Sequence, residues 1–200
     1  MSRHLDAGLV HDIVSTGREQ SLHPVLHVDK YEEGCDFLIE YEMDSPCYNA
    51  YITGGVKEYR VVGDLLKNAA DGILLMCYMA GERELESFRE KLLERHGRRL
   101  HCHILTTLTR IGPVLEIMNP LGTKWRALAE YARGLAISPG EIVALGDDNN
   151  DIEMVAQAGL GIAMRNATRG VKGAARAVTL HTNNQDGAAR SLAGVFGLGV

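Results

Sequence analysis

The sequence predicts an α/β protein with a partial doubly wound parallel (Rossmann-like) sheet in its carboxyl-terminal part and a mixed α/β unit before it. From Thr123 onward, short apolar runs alternate strictly with helical stretches across short turns. Such alternation implies right-handed crossovers and parallel strands. Before Asn119 the elements are mixed and suit a substantially antiparallel sheet. The third observation is an acidic turn, Gly146-Asp147-Asp148-Asn149-Asn150-Asp151, directly after the run Ile142-Val143-Ala144-Leu145. Open α/β sheets place their ligand sites at that end of their strands.

Taken in order, residues 3–15 read as a helix, 24–28 and 36–42 as strands, and 48–53 as a further strand or loop segment. Residues 64–70 read as a short helix with Asp64 as its cap. Residues 73–79 form an apolar run of buried-strand length between Gly72 and Gly81. Leu85, Phe88, Leu92 and Leu93 share one face of a helix over 82–96, which Gly97 stops. Residues 100–106 and 114–118 read as paired strands. Asn119-Pro120-Leu121-Gly122 marks the boundary, giving one domain over 1–118 and another over 119–200. The second contains helix 123–133 ending at Gly134, strand 141–145, helix 150–158, strand 160–164, helix 168–176, strand 177–180 and helix 187–196.

A net charge of −5 with sparse aromatics gives no nucleic-acid footprint. The longest apolar run, 73–80, is far too short to span a bilayer, and no signal-peptide pattern opens the chain. Cys35, Cys47, Cys77 and Cys102 are widely spaced and form no Cys-x-x-Cys pair, which fits a reducing cytoplasm. No nucleic-acid or membrane partner is expected.

Three carboxylates within five residues repel one another unless positive charge sits among them. A helix amino terminus supplies part of that field and a divalent cation the rest. An acidic helix cap is the plainer alternative. A calcium loop is excluded, because Ile152 and Ala158 stand where Gly and the twelfth-position Glu belong. Lys124, one helix earlier, opposes its own helix dipole, which favours a role at a site over a solvated charge.

From these residues the chain resembles the haloacid dehalogenase-like hydrolases, in particular the Cof-type phosphatases with a large α/β cap. The match lies at Gly146, Asp147, Asn150 and Asp151, continuing as Ile152-Glu153-Met154, and at Gly159 to Ala167 and Gln185 to Ala189. Leu115-Glu116-Ile117 followed by Gly122-Thr123-Lys124 resembles the family's lysine motif. Residues 113–190 are covered densely, whereas 1–112 resemble the cap in pattern only. The resemblance implies that Asp147 ligates Mg²⁺ and that Asp151 acts beside it, orienting a water or pairing with the lysine. Lys124 would be catalytic with Asp151 and would also bind phosphate, together with Asn150 and Asn166. The substrate would be a small phosphorylated metabolite.

One departure matters. The family's nucleophile lies in an Asp-x-Asp motif, and no Asp here has another Asp two positions later. Ser15-Thr16-Gly17, the one candidate for the family's Ser/Thr motif, reads instead as the end of the first helix. The expectation is a family member that begins at its cap and is inactive or nearly so alone. Its nucleophile would lie outside the given chain, on an excised segment or a separately encoded piece, and the exposed edge of strand 141–145 would be covered by that fragment, by a second copy or by a rearranged amino-terminal segment. The alternative is a non-catalytic metal- or phosphate-binding interaction module.

Other constellations carry less. His101 and His103 share a strand face and could bind a transition metal, but no third ligand is evident in the sequence. Gly159-Leu160-Gly161 precedes a strand and lacks the third glycine of a dinucleotide loop. Gly54-Gly55-Val56-Lys57 lacks the flanking residues of a phosphate loop. Asn183-Asn184-Gln185-Asp186-Gly187 reads most simply as a turn, although the resemblance places it near the carboxyl edge of the core.

Overall fold

The computed structural model describes residues 3–40, 46–53, 58–68, 71–106 and 111–198, which fall into two compact units, Met1–Gly122 and Thr123–Val200. The join lies after Gly122, beyond the expected break at 118. The intervening turn is tied back to the first unit, since Asn119 Nδ2 donates to the His4 carbonyl at 2.8 Å. Gly122 N–H then closes onto the Asn119 carbonyl at 2.8 Å.

In the first unit, α1 is Ala7–Arg18, β1 Val25–Lys30, β2 Cys35–Ile39 and α2 Pro46–Thr53. They are followed by β3 Tyr59–Val61, α3 Leu65–Asn68, β4 Ile73–Met79, α4 Glu82–His96, β5 His101–Leu105 and β6 Val114–Met118. The sheet order is β3-β2-β1-β4-β6-β5, antiparallel at every pairing except β2 with β3. Alternation along the strands sends Leu26, Met76 and Leu115 to one face, under Val10 and Ile13 of α1 and Leu85, Phe88 and Leu92 of α4. Val25, Cys77 and Val114 face the other side, against Tyr48 and Ile52 of α2.

The differences from the expected elements have local causes. Helix α1 starts later and runs further, because the Asp6 carboxylate caps it by accepting Leu9 N–H at 3.0 Å. Thr16, hydrogen-bonded to the Asp12 carbonyl at 2.8 Å, is therefore buried inside a helix and ends no strand. Residues 48–53 are helical, not extended. Pro46 at the helix start favours this, and Tyr48 and Ile52 at i, i+4 bury one face. Strand β3 escaped prediction because all three of its residues are exposed and carry no alternation. Leu93 is 36% exposed, about a third of a turn from the centre of the face formed by Leu85, Phe88 and Leu92. The expected strand 36–42 ends at Ile39, and residues 41–42 lie outside the described residues, as do 69–70 of the expected helix and the Gly54–Lys57 stretch.

In the second unit, α5 is Lys124–Gly134, β7 Val143–Gly146, α6 Ile152–Gln157, β8 Leu160–Ala163, α7 Arg169–Ala174, β9 Ala177–Val178 and α8 Gly187–Phe196. The sheet order is β7-β8-β9 and both pairings are parallel. Strand β9 stops early because Thr179 turns its hydroxyl to the His181 carbonyl at 2.5 Å while accepting Arg165 N–H at 2.9 Å. Ala144 packs with Trp125 of α5 and Ala158, and Leu145 lies against the cluster of Val155 and Val171. No helix among the described residues is long and apolar enough to cross a membrane.

Helix α6 lies so close to β8 that a Cβ on Gly161 would stand 1.8 Å from the Val155 carbonyl oxygen. Backbone cannot yield there as a side-chain end could. Gly161→Ala should therefore cost about 3 kcal/mol or more in chemical unfolding. Gly173→Ala, in open space on α7, should be neutral or slightly stabilising. Equal midpoints for the two variants would contradict this packing.

Candidate active site

At the carboxyl end of β7 the chain passes through Asp147 and Asp148 into one 3-10 turn, 149–151, and then into α6. The three carboxylates do not share one position. Asp148 is buried and folds into its own turn, accepting Asn149 N–H at 2.7 Å. Asp151 is buried and turns back beneath the end of the strand. Its Oδ2 accepts the amide of Asp147 at 3.0 Å and that of Asp148 at 3.4 Å, and its Oδ1 accepts Lys124 Nζ at 2.6 Å. Gly146 makes room for this, since a Cβ there would fall 2.4 Å from Asp151 Cβ. The charge of Asp151 is thus compensated by a lysine and two amides.

Lys124 opens α5, where the Thr123 hydroxyl accepts Arg126 N–H at 3.3 Å and donates to Glu153 Oε2 on α6 at 2.5 Å. That link ties the start of α5 to the start of α6 and brings the ammonium to Asp151. The Lys124 side chain remains 51% exposed, so its charge also reaches the open cleft.

Asp147 is the carboxylate that faces this cleft. Its Oδ2 accepts Asn183 Nδ2 at 2.7 Å, and its carbonyl accepts Thr168 N–H at 2.9 Å. The cleft, about 420 Å³, is lined by Lys124, Asp147, Asp151 and Asn183, with Met154 and Met164 as apolar wall. Sequence reasoning placed Lys124, Asp147 and Asp151 at one end of the parallel strands, and the structure brings these three together. Asn166 reaches the cleft indirectly, its Oδ1 accepting the backbone N–H of Asn183 at 3.0 Å. Asn150 is half-buried in the 3-10 turn, does not line the cleft, and its side chain has no hydrogen-bond partner among the described residues. The sequence places the Asn183 turn near the carboxyl edge of the core by resemblance but gives no sign of its bond to Asp147, because nothing in local periodicity announces a contact with a residue 36 positions earlier.

Among the described residues, no group of three or more His, Cys, Asp or Glu is arranged to hold a metal ion. His103 Nε2–H donates to Glu116 Oε2 at 2.8 Å across the β5–β6 pair, which makes it a hydrogen-bonded strand histidine. The donors at the cleft are of another kind. One carboxylate with an oxygen that has no protein partner among the described residues suits a hard cation that keeps several waters and takes phosphate oxygens as further ligands.

The chain matches the pattern of the haloacid dehalogenase-like hydrolases over residues 2–192. It belongs to that family. A 5-amino-6-(5-phospho-D-ribitylamino)uracil phosphatase of Bacillus subtilis is 31% identical over 139 residues, covering 68% of this chain and 49% of the relative. The phosphoglycolate phosphatase of Methanoculleus marisnigri is 46% identical over 76 residues, 38% of this chain and 30% of the relative. The match thus spans half or less of these relatives' length. Among solved structures, a haloacid dehalogenase-like hydrolase from Bacteroides thetaiotaomicron superposes with a TM-score of 0.72 at 22% identity, over 97% of this chain and 68% of that one. A HAD/COF-like hydrolase from Plasmodium vivax gives 0.79 at 16% identity, over 98% and 66%. These likenesses show the fold, a mixed α/β protein with a parallel-stranded Rossmann-like core.

Proposed function

We propose that this haloacid dehalogenase-like chain forms the α/β cap (residues 1–122) and the carboxyl-terminal half of the core (123–200) of a Mg²⁺-dependent phosphatase for a small phosphorylated metabolite. The observation that carries this reading is the convergence of Lys124, Asp151 and Asp147 on one cleft at the carboxyl end of β7. Phosphoryl transfer needs positioned charge more than covalent chemistry from most of its site residues. Asp147 would hold the cation, with Asp151 beside it; when bound, the ion would neutralise charge on the transferring phosphoryl group. Lys124, half-exposed and fixed at its tip by Asp151, would offset the charge of the phosphoryl oxygens and of the attacking carboxylate. Asp151 would act mainly by holding that lysine, since both its oxygens already accept hydrogen bonds. Asn166 would support the phosphate side through the loop that it holds, whereas Asn150, outside the cleft lining, is given no phosphate contact. The phosphatase names of the matched relatives support the reaction class. The free thiols of buried Cys35 and Cys77 support a cytoplasmic setting.

The test is a phosphate-ester screen on the chain co-expressed with an amino-terminal segment carrying an Asp-x-Asp strand. Hydrolysis should appear, stop when Mg²⁺ is chelated, and fall by about 10²–10³ in Lys124→Ala, the loss typical of removing one positioned charge stabiliser. Hydrolysis that survives both chelation and Asp147→Ala would overturn the proposal.

A further inference from the structure

We propose that Asn183 is a positioning residue for Asp147, holding one carboxylate oxygen so that the other is presented to the cation; this rests on the reading of Asp147 given above. The loop carrying Asn183 is braced at several points. Thr182 N–H and the Thr182 hydroxyl both meet Gln185 Oε1 at 3.2 Å. Asp186 adopts φ 57°, a left-handed conformation open to few side chains, and turns the chain into α8. Gly187 follows, where a Cβ would lie 2.3 Å from the His181 carbonyl oxygen, and its N–H closes on the Thr182 carbonyl at 3.1 Å. The backbone of Asn183 is held in addition by Asn166 Oδ1 at 3.0 Å. With its main chain fixed from both sides, the Asn183 amide is directed at Asp147 Oδ2, 2.7 Å away.

A carboxylate on a turn can rotate about its χ angles, and each alternative rotamer withdraws the ligand from the cleft. An amide donor on one oxygen removes that freedom without competing for the other. Partners of this kind commonly change metal affinity by about 10–100-fold. Because Asn183 is exposed, water can replace part of what it gives, so the lower end of that range applies. The arrangement also assigns Asn166 its place, as the residue that holds the backbone of the positioning residue.

Mn²⁺ serves as the probe, because it shares the oxygen preference of Mg²⁺ and its free form is read by electron paramagnetic resonance. Titrated into the 200-residue chain, it should bind in an Asp147-dependent manner. Asn183→Ala should weaken binding about tenfold, while its thermal unfolding and circular dichroism match those of the parent chain. Asn184→Ala, the neighbouring loop residue, should change nothing, and Asn166→Ala should fall between. A merely structural role would move the unfolding midpoint and leave the affinity of the folded protein unchanged. Binding in Asn183→Ala equal to the parent, while Asp147→Ala abolishes it, overturns this inference and leaves the proposed function standing. Mn²⁺ binding that is absent, or indifferent to Asp147→Ala, overturns both.

Discussion

Purified alone and supplied with Mg²⁺, the 200-residue chain should show negligible turnover of phosphate monoesters. The cleft offers Lys124 and Asp147, but Asp151 is committed to Lys124 and two amides, and Asp148 is folded into its own turn. The sequence contains no Asp-x-Asp motif to provide the attacking carboxylate. Covalent catalysis replaces one difficult displacement with two easier ones, so its loss removes most of the acceleration. Positioned charges and binding alone leave a residue of about 10³ over water, far below the 10⁶-fold and greater accelerations usual for enzymes. A steady-state assay with a chromogenic phosphate ester decides the matter. Robust Mg²⁺-dependent hydrolysis, lost in Asp147→Ala, would falsify this expectation and send the search for a nucleophile to another carboxylate of the chain.

Most of the second unit was legible because its signals are local. Apolar runs bounded by Gly134, Gly159 and Gly187 fixed the rhythm of strand and helix, and a dense acidic turn after a strand pointed to the site. The roles within the acidic turn were less legible, because they depend on which carboxylate turns inward. Asp151 can do so only because Gly146 lacks a side chain, a contact between backbone and side chain that composition does not reveal. The bond from Asn183 to Asp147 was not legible for a related reason: the partner comes from another element, and an exposed polar loop residue carries no periodic mark. In the first unit, Tyr48 and Ile52 were ambiguous because a short run of aromatic and aliphatic residues fits a strand or a helix equally until packing chooses. The three exposed residues of β3 left no pattern to read.

The free side of β7 is expected to be covered in solution. Among the described residues β7 pairs with β8 only, and so forms one edge of the β7-β8-β9 sheet. The edge Val143–Gly146 carries no lysine, proline or bulge of the kind that discourages pairing. Ile142 and Gly146 turn their carbonyls to β8, so the alternating backbone groups of Val143 and Leu145, both half-buried, face the free side, and each such group left buried without a partner costs about 1–3 kcal/mol. A few such groups rival the 5–15 kcal/mol that holds a small domain together, roughly speaking. The same unit also leaves Tyr131 70% and Phe196 60% exposed, apolar surface that further burial would stabilise. Alone, the chain should therefore associate through this edge with a second copy. Supplied with an amino-terminal strand segment, it should exchange that contact for a one-to-one complex, seen as a fall in mass by light scattering. The amides of Val143 and Leu145, which face the free side, should be protected from hydrogen exchange in both states. A stable monomer whose Val143 and Leu145 amides exchange at unprotected rates would show that the edge stands open, and that β8, α5 and α6 suffice to stabilise β7.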